Sequence, residues 1–292
     1  KIVLPYPPGG ASDVTARLIG GRLSQAWGQP VVIENRPGAN GTIANLAVAK
    51  SPADGYTLLM ANLGPNGINH AVYSKLPYDT VRDFQPIVLT TLVPLVVVTA
   101  ADSPVRSLGD FVVTAKRPNT KLSFGSAGNG SGSHLAGELL FSALGAPMLH
   151  IPYKGVQPAM MDVVGGQVTM VFASIASGMA QVANKRLFPL AVTGAQRSPA
   201  AKELPTMVEA GIKGYESTTW YGLVAPAATP ADIVNRLNAE VVAGLKSPDL
   251  NERLTREGAD PVGNSPTEFS KYMQTEIDKW RKVIKAAGIQ PS

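Results

Sequence analysis

Cysteine is absent from this 292-residue chain. That excludes disulfides, thiolate metal sites and a cysteine nucleophile. It leaves the compartment open, because a cysteine-free chain suits either redox environment. Histidine is scarce: only His70, His134 and His150 occur, their spacing fits no zinc motif, and H-E-x-x-H is missing. No metal or other cofactor is therefore expected. There is no Gly-Lys dipeptide, hence no Walker A loop. Charged residues are only 16% of the chain, and the net +5 is scattered rather than gathered into a Lys/Arg block. Such a balance permits weak attraction to anions and argues against nucleic acid as a partner. No long membrane-spanning run exists either. The most apolar stretch, Pro86 to Ala101, is short, holds three threonines and is broken by Pro94. It reads as two strands. What is present is a globular composition, 45% apolar, with length enough for two domains.

Strand and helix alternate along the chain. Ile2 to Leu4 reads as a strand and Pro5 to Asp13 as a Gly/Pro loop. Val14 to Trp27 reads as a helix, with Val14, Leu18, Ile19, Leu23 and Trp27 at helical spacing. Strands are expected at Val31 to Glu34 and Tyr56 to Ala61, with a short helix at Gly41 to Ala49. The device returns mid-chain: a strand at Lys121 to Gly125, a polar glycine loop at Ser126 to Ser133, and a helix at His134 to Leu144. A helix at Val156 to Val164 and strands at Val168 to Phe172, Leu187 to Val192 and Tyr221 to Ala225 follow. Thr229-Pro230 opens a helix through Leu245, and Ser265-Pro266 opens a last one to about Ala287. The alternation predicts an α/β fold with largely parallel strands. The C-terminal helices need a sheet, and the first domain is their natural host. This gives a discontinuous domain of residues 1–100 plus 225–292 and a second domain of residues 101–224, with crossings near Thr99–Ser103 and Leu223–Pro226.

Both glycine loops lead into helices. A helix N-terminus exposes unpaired N–H groups and the positive end of the macrodipole, and glycine lets the backbone approach a ligand. Each loop could therefore hold an anion such as a carboxylate, and two facing loops would grip a small dianion. The alternative is that the loops merely make tight turns. Hydroxyls of Ser12, Ser126, Ser131 and Ser133 and the amides of Asn62 and Asn129 could orient the ligand. Asp13 either caps its helix, ties the loop down or meets the ligand, and a carboxylate aimed at an anion would repel it. His134 either touches a ligand or braces its loop. His150 reads as structural and His70 as a surface residue. Lys154 could supply a positive charge, and Trp220 with Tyr221 could wall a cleft or simply pack.

Catalytic signatures are weak. Ser131 is flanked at ±2 by Asn129 and Ser133, so it is not a G-x-S-x-G elbow. Gly128-x-Gly130 runs on to Ser133 where a dinucleotide fingerprint needs Gly or Ala. A Ser131/His134 pair is the best candidate for a hydrolase or transferase on carboxylated substrates. It is too local, and it lacks a clear acid partner.

An ordered series of motifs over essentially the whole chain resembles the Bug family, the extracytoplasmic receptors of tripartite tricarboxylate transporters. It begins with Pro5-Tyr6-Pro7-Pro8-Gly9-Gly10-Ala11-Ser12-Asp13. It continues through Glu34-Asn35-Arg36-Pro37-Gly38-Ala39-Asn40-Gly41, Pro52-Ala53-Asp54-Gly55-Tyr56 and Gly125-Ser126-Ala127-Gly128-Asn129-Gly130. His150-Ile151-Pro152-Tyr153-Lys154-Gly155, Trp220-Tyr221-Gly222-Leu223 and Thr229-Pro230 complete it. Each motif alone is weak, but the ordered series is specific. The resemblance implies a two-domain, type II-like periplasmic-binding-protein fold with its ligand cleft between the domains. It implies a monomeric receptor, not an enzyme, that clamps a small carboxylate (a dicarboxylate, a tricarboxylate or an aromatic acid) and passes it to the membrane subunits. The two loops map onto Tyr6 to Asp13, including Pro8, Gly9, Gly10 and Ala11, and onto Ser126 to His134. Tyr6, Asn62, Tyr153, Ser174 and Trp220 are further side-chain contacts expected from motif position. The abrupt N-terminus, with no export signal in view, suits removal of a signal peptide on the way to the periplasm. One departure matters: many relatives carry an Asp just after the strand Val168 to Phe172, where this chain has Ala173 and then Ser174. An acidic group there could accept from a ligand ammonium, so its absence predicts a non-amino carboxylate. A sensory receptor on the same fold is the remaining alternative.

Overall fold

The structure is a computed structural model. It describes every residue except Gly10, 118–121, Asn129, Gly130, Pro147, Lys154 and 287–292, and only the backbone of Ala286. Along the chain, β1 (Ile2–Leu4) leads into α1 (Ala11–Trp27), followed by β2 (Ile33–Asn35), α2 (Thr42–Ala49) and β3 (Leu58–Asn62). One π-helical turn (Gly64–Ile68) and the short α3 (Asn69–Val72) precede the long β4 (Phe84–Ala100). Then come α4 (Leu108–Ala115), β5 (Ser123–Ser126), α5 (Gly132–Leu144), β6 (Leu149–Pro152), α6 (Val156–Val164), β7 (Met170–Ser174), α7 (Ile175–Ala183) and β8 (Leu187–Val192). After β9 (Thr218–Pro226), α8 (Ala231–Leu245), α9 (Pro248–Arg256), β10 (Asp260–Pro261) and α10 (Pro266–Ala286) follow.

The chain divides into two compact units, Lys1–Leu92 with Trp220–Ser292, and Val93–Thr219. The changeovers fall inside β4 and β9, some residues ahead of the crossings placed from sequence. The apolar stretch from Pro86 forms one strand, β4, ending at Ala100, not two. Pro94 lies between the stretch of β4 that pairs β10, at Thr91 and Leu92, and the stretch that pairs β7, from Leu95 onward. Its missing N–H is thus tolerated at the gap between ladders.

In the first unit β1 lies between β2 and β3, parallel to both, and β9 joins β3 antiparallel. The Thr90 hydroxyl donates to the Tyr221 carbonyl at 2.8 Å, tying β4 to β9. Gly222 lies under the Phe269 ring of α10: a Cβ there would stand 2.2 Å from Phe269 Cζ. The helix and the strand can meet only because that position carries no side chain.

In the second unit β5 runs parallel to β6 and β7, while β4 runs antiparallel to β7 and β8. Successive β4 residues alternate between two cores. Val97 packs with Phe111, Phe124, Leu140 and Phe172, and Val96 and Val98 pack with Met160, Val171 and Ala173. Both sheets are mixed, which corrects the expectation of largely parallel strands. The long β4 and β9 each return against their neighbours instead of crossing over through a helix. Among the described residues no helix is long and apolar enough to cross a membrane.

Candidate functional site

In the first unit, β1 ends at Leu4 and the chain reaches α1 through Pro5 to Gly9. Gly9 adopts φ +88°, the left-handed region that glycine tolerates best. Its N–H donates to Asp13 Oδ2 at 3.1 Å. Asp13 also takes Arg17 Nε at 2.9 Å on Oδ2, and Arg17 Nη2 at 2.9 Å and Asn35 Nδ2 at 3.0 Å on Oδ1. Asn35 Nδ2 lies 3.0 Å from the Tyr6 carbonyl as well. The Arg17 guanidinium, with the Gly9 and Asn35 donors, holds the Asp13 carboxyl down at about 2 despite its burial. Both oxygens of Asp13 are thus engaged in tying the loop to α1 and β2. This is the role that competed with ligand contact in the sequence, and it also uses the Gly9 N–H that was expected to face an anion. What remains is the first turn of α1 at Ala11 and Ser12, whose N–H groups have no acceptor within the helix. Pro8, Gly9 and Ala11 are exposed, Ser12 is buried, and Gly10 lies outside the described residues.

Behind this loop lies a feature the sequence reading missed, a web of asparagines, buried except for the exposed Asn40. Asn66 Nδ2 donates to Asn45 Oδ1 at 2.8 Å, and Asn45 Nδ2 to the Gly41 carbonyl at 2.9 Å. Asn40 Nδ2 donates to Asn69 Oδ1 at 2.8 Å. Asn66 Oδ1 accepts the Asn62 N–H at 3.1 Å, and Asn62 Oδ1 accepts the Gly64 N–H at 3.2 Å. The web pins the π-helical turn, a form often found at functional sites. Its signal was legible in the spacing Asn62, Asn66, Asn69. One group is left over: Asn62 Nδ2 is buried with no partner among the described residues. A buried polar donor without a partner is uncommon and calls for an explanation. The Tyr6 hydroxyl is its neighbour, since a Cβ on Gly64 would meet Tyr6 Oη at 2.6 Å and Asn62 Oδ1 at 3.6 Å. Burial and nearby Tyr73 push the Tyr6 phenol up to about 12, so it stays a donor.

Trp220 does not join them. The antiparallel register pairs Asn62 with Tyr221, so alternation turns Tyr221 toward Asn62 and Trp220 to the opposite face. There Trp220 is fully buried, edge-on to Phe269 at 5.8 Å and Tyr272 at 6.1 Å, both on α10. Its expected ligand contact is therefore replaced by core packing. Tyr221 shares the face of Asn62 instead, and burial with nearby Tyr6 raises its phenol.

In the second unit, Ser126 ends β5 and Ser131 caps α5, its Oγ accepting the His134 N–H at 3.3 Å. The Ala127 N–H donates to Ser133 Oγ at 2.9 Å and the Gly128 N–H to Ser126 Oγ at 3.1 Å. Gly128 has φ +122°, and a Cβ there would lie 3.3 Å from the Tyr153 carbonyl. As at Gly9, the amides of the loop brace the loop itself. The first-turn N–H groups of Gly132 and Ser133, for which the helix offers no acceptor, are what it presents. Asn129 and Gly130 lie outside the described residues, as does Lys154. His134 sits in that first turn, its Nε2 3.5 Å from Glu138 Oε1 and its ring stacked on His150 with centroids 3.9 Å apart.

Two other expected contacts are engaged elsewhere. The Tyr153 hydroxyl donates to Asp162 Oδ2 at 2.6 Å, tying the end of β6 to α6, and its phenol is pushed up to about 12, chiefly by burial. Ser174 caps α7, accepting the Ser177 N–H at 3.3 Å. The Ser131/His134 pair makes a capping contact: the His134 backbone N–H, not its ring, donates to the Ser131 hydroxyl. That is not the arrangement of a nucleophile and its base. Among the described residues, no three His, Asp or Glu side chains gather to hold a metal.

Two self-braced loops, each opening onto the first turn of a long helix, leave the purpose to be decided by kinship. A family model described as the tripartite tricarboxylate transporter family receptor matches residues 15–289. The chain belongs to this family. BugT of Bordetella pertussis is 33% identical over 99% of this receptor and 89% of its own length. Two solved structures from Rhodopseudomonas palustris are similar throughout. Rpa4515 with adipate is 38% identical, covering 100% of this chain and 97% of that one, with a TM-score of 0.85. MatC with bound malate is 33% identical, covering 97% of each chain, with a TM-score of 0.78. The receptor's α/β periplasmic-binding-protein fold is therefore shared with relatives solved in their own right.

Proposed function

We propose that this receptor binds a small dicarboxylate without an ammonium group, in the periplasm and as a monomer, and delivers it to the membrane subunits of a tripartite transporter. The observation that carries the reading is the pair of self-braced loops at the heads of α1 and α5. Each spends its own amides on its own shape, as Gly9, Ala127 and Gly128 do, and leaves a helix N-terminus to meet an anion. Relatives that carry adipate and malate supply ligands of that chemistry. Each loop offers a carboxylate the head of its own helix. The Tyr6 and Tyr221 hydroxyls and the Asn62 amide donate to the acid bound at the first, and the Ser131 and Ser133 hydroxyls to the acid at the second. No bond is made or broken. Binding shifts the receptor toward the conformation with the tighter affinity, and that liganded conformation is what the membrane subunits recognise.

The end of β7 selects against amino acids. Ala173 carries no charge, and the Ser174 hydroxyl is taken up in capping α7, so nothing anionic there would receive an ammonium. Calorimetry with adipate, malate and glutamate tests the proposal. One-to-one binding of adipate or malate, recovered unchanged, is expected, with glutamate far weaker. Glutamate as the tightest ligand, or no binding by any of the three, would sink it. Asn62→Asp keeps the acceptor that holds Gly64 but replaces the orphan donor with a charge. It should weaken adipate by about tenfold to a hundredfold, the scale of losing a hydrogen bond to an ion.

A further inference from the structure

The loop of the second unit rests on a side chain that the binding reading does not use. His150 on β6 is the register partner of Phe124 on β5, so both side chains stand on one face of the sheet. Its ring lies 3.9 Å from that of His134 and 4.8 Å from that of Phe124, centroid to centroid. Its Nε2 is 2.6 Å from Ser126 Oγ. That hydroxyl also accepts the Gly128 N–H at 3.1 Å and lies 3.2 Å from the Gly128 carbonyl. A serine hydroxyl has one proton to give. Its acceptor is the Gly128 carbonyl at 3.2 Å or, when Nε2 carries no proton, His150 Nε2 at 2.6 Å, the shorter and preferred of the two. The Gly128 carbonyl then serves the Ser131 N–H, 3.2 Å away. With Nε2 bare, each donor of this set has one acceptor. With Nε2 protonated, the imidazole must donate, and the hydroxyl must swing to the Gly128 carbonyl.

We propose that His150 is a positioning residue for ligand binding: its bare Nε2 orients the Ser126 hydroxyl, which fixes Ala127 and Gly128 ahead of α5 and so sets the anion site at that helix. The inference rests on the carboxylate reading above. The groups that face the ring are His134 and Glu138 from α5 and Ser126 and Phe124 from β5. Burial and the neighbouring His134 lower the His150 imidazole to about 4, against the pull of Glu138, so the ring is neutral at pH 7.

The test joins a ligand-free arm to a binding arm. In the first, nitrogen NMR of the imidazoles at pH 7 should show His150 protonated at Nδ1 and bare at Nε2. Hydrogen exchange at the Gly128 amide should quicken in His150→Phe, which keeps an aromatic ring in the stack but removes the acceptor. An Nε2–H tautomer, or unchanged exchange, overturns the proposal. In the second, adipate affinity is measured for the wild type, His150→Phe, His150→Gln, Ser126→Ala and the Phe/Ala double variant. Loss of one hydrogen bond should weaken adipate about fivefold to tenfold in His150→Phe, and the Gln amide, which reaches the same point, should restore it to within about twofold. On the Ser126→Ala background His150→Phe should add nothing. Additive losses, or a His150→Phe receptor that binds adipate like the wild type, overturn the role. If His150→Phe does not fold, His150→Gln and the tautomer decide: wild-type affinity in the Gln variant with a bare Nε2 supports the role, and anything else refutes it. Absence of adipate binding by the wild type counts against the carboxylate reading alone, while the ligand-free arm still judges the hydrogen bond.

Discussion

At Asp13 a buried carboxylate sits at the head of a helix proposed to bind an anion, a combination that looks self-defeating until its partners are counted. Arg17 neutralises it through both oxygens, and Gly9 and Asn35 donate as well. Its folded-state value near 2 lies below that of an unfolded aspartate, about 3.9. A depressed carboxylate contributes stability that is fully present above the unfolded value and is lost as the pH falls through the folded one. Thermal unfolding of Asp13→Asn should therefore show a smaller loss between about pH 4 and pH 2 than the wild type. Parallel curves for the two proteins would show that Arg17 and the loop amides do not act through this charge. The sequence favoured capping or tying over ligand contact for Asp13 but did not separate those two, because tying runs through Asn35, which is distant in the chain. Trp220 went wrong for a related reason. Motif position placed it near the site, but only the register of β3 with β9 shows that Tyr221 shares the face of Asn62. His150 read as structural, and its contact with Ser126 is a product of the β5–β6 pairing that spacing does not reveal.

Among the elements, those with a clean period or a strong terminus were legible. Val156–Val164 and Leu187–Val192 formed where they were placed, and Pro230 and Pro266 mark the starts of α8 and α10. Helices α4, α7 and α9 were missed. α7 follows β7 without a break, so an apolar run hides the switch of period that Ser174 makes as N-cap. α9 buries only Leu250 and Leu254 on an otherwise polar surface, too narrow a stripe to read as a core face. Packing between elements was not legible, and Gly137 shows its cost. A Cβ there would stand 2.1 Å from Phe124 Cε2, inside the stack that joins Phe124 to His134 and His150. Gly137→Ala gains about 1 kcal/mol of helix propensity. It must also move an aromatic ring that packs on Phe141 and Phe172, and overpacking of this kind costs about 1–3 kcal/mol. The clash should win. Urea unfolding is expected at a lower midpoint with an unchanged slope, and a midpoint at or above the wild type would mean that the ring yields freely.

For the molecule as a whole, the division into units makes a prediction about autonomy. Val93–Thr219 is one uninterrupted stretch of chain, and it carries apolar clusters on both faces of its own sheet. It has the core a domain needs to fold alone. The other unit is built from two stretches, yet its open ends fall on β4 and β9, which are neighbours in the sheet and are tied by Thr90 and Tyr221. A short turn from Leu92 to Trp220 should therefore close it. Both pieces are expected to unfold cooperatively and to give dispersed amide spectra. A piece that melts without a cooperative transition, or whose amide signals stay collapsed, would show that its core depends on the other stretch of chain and that the division is not one of folding.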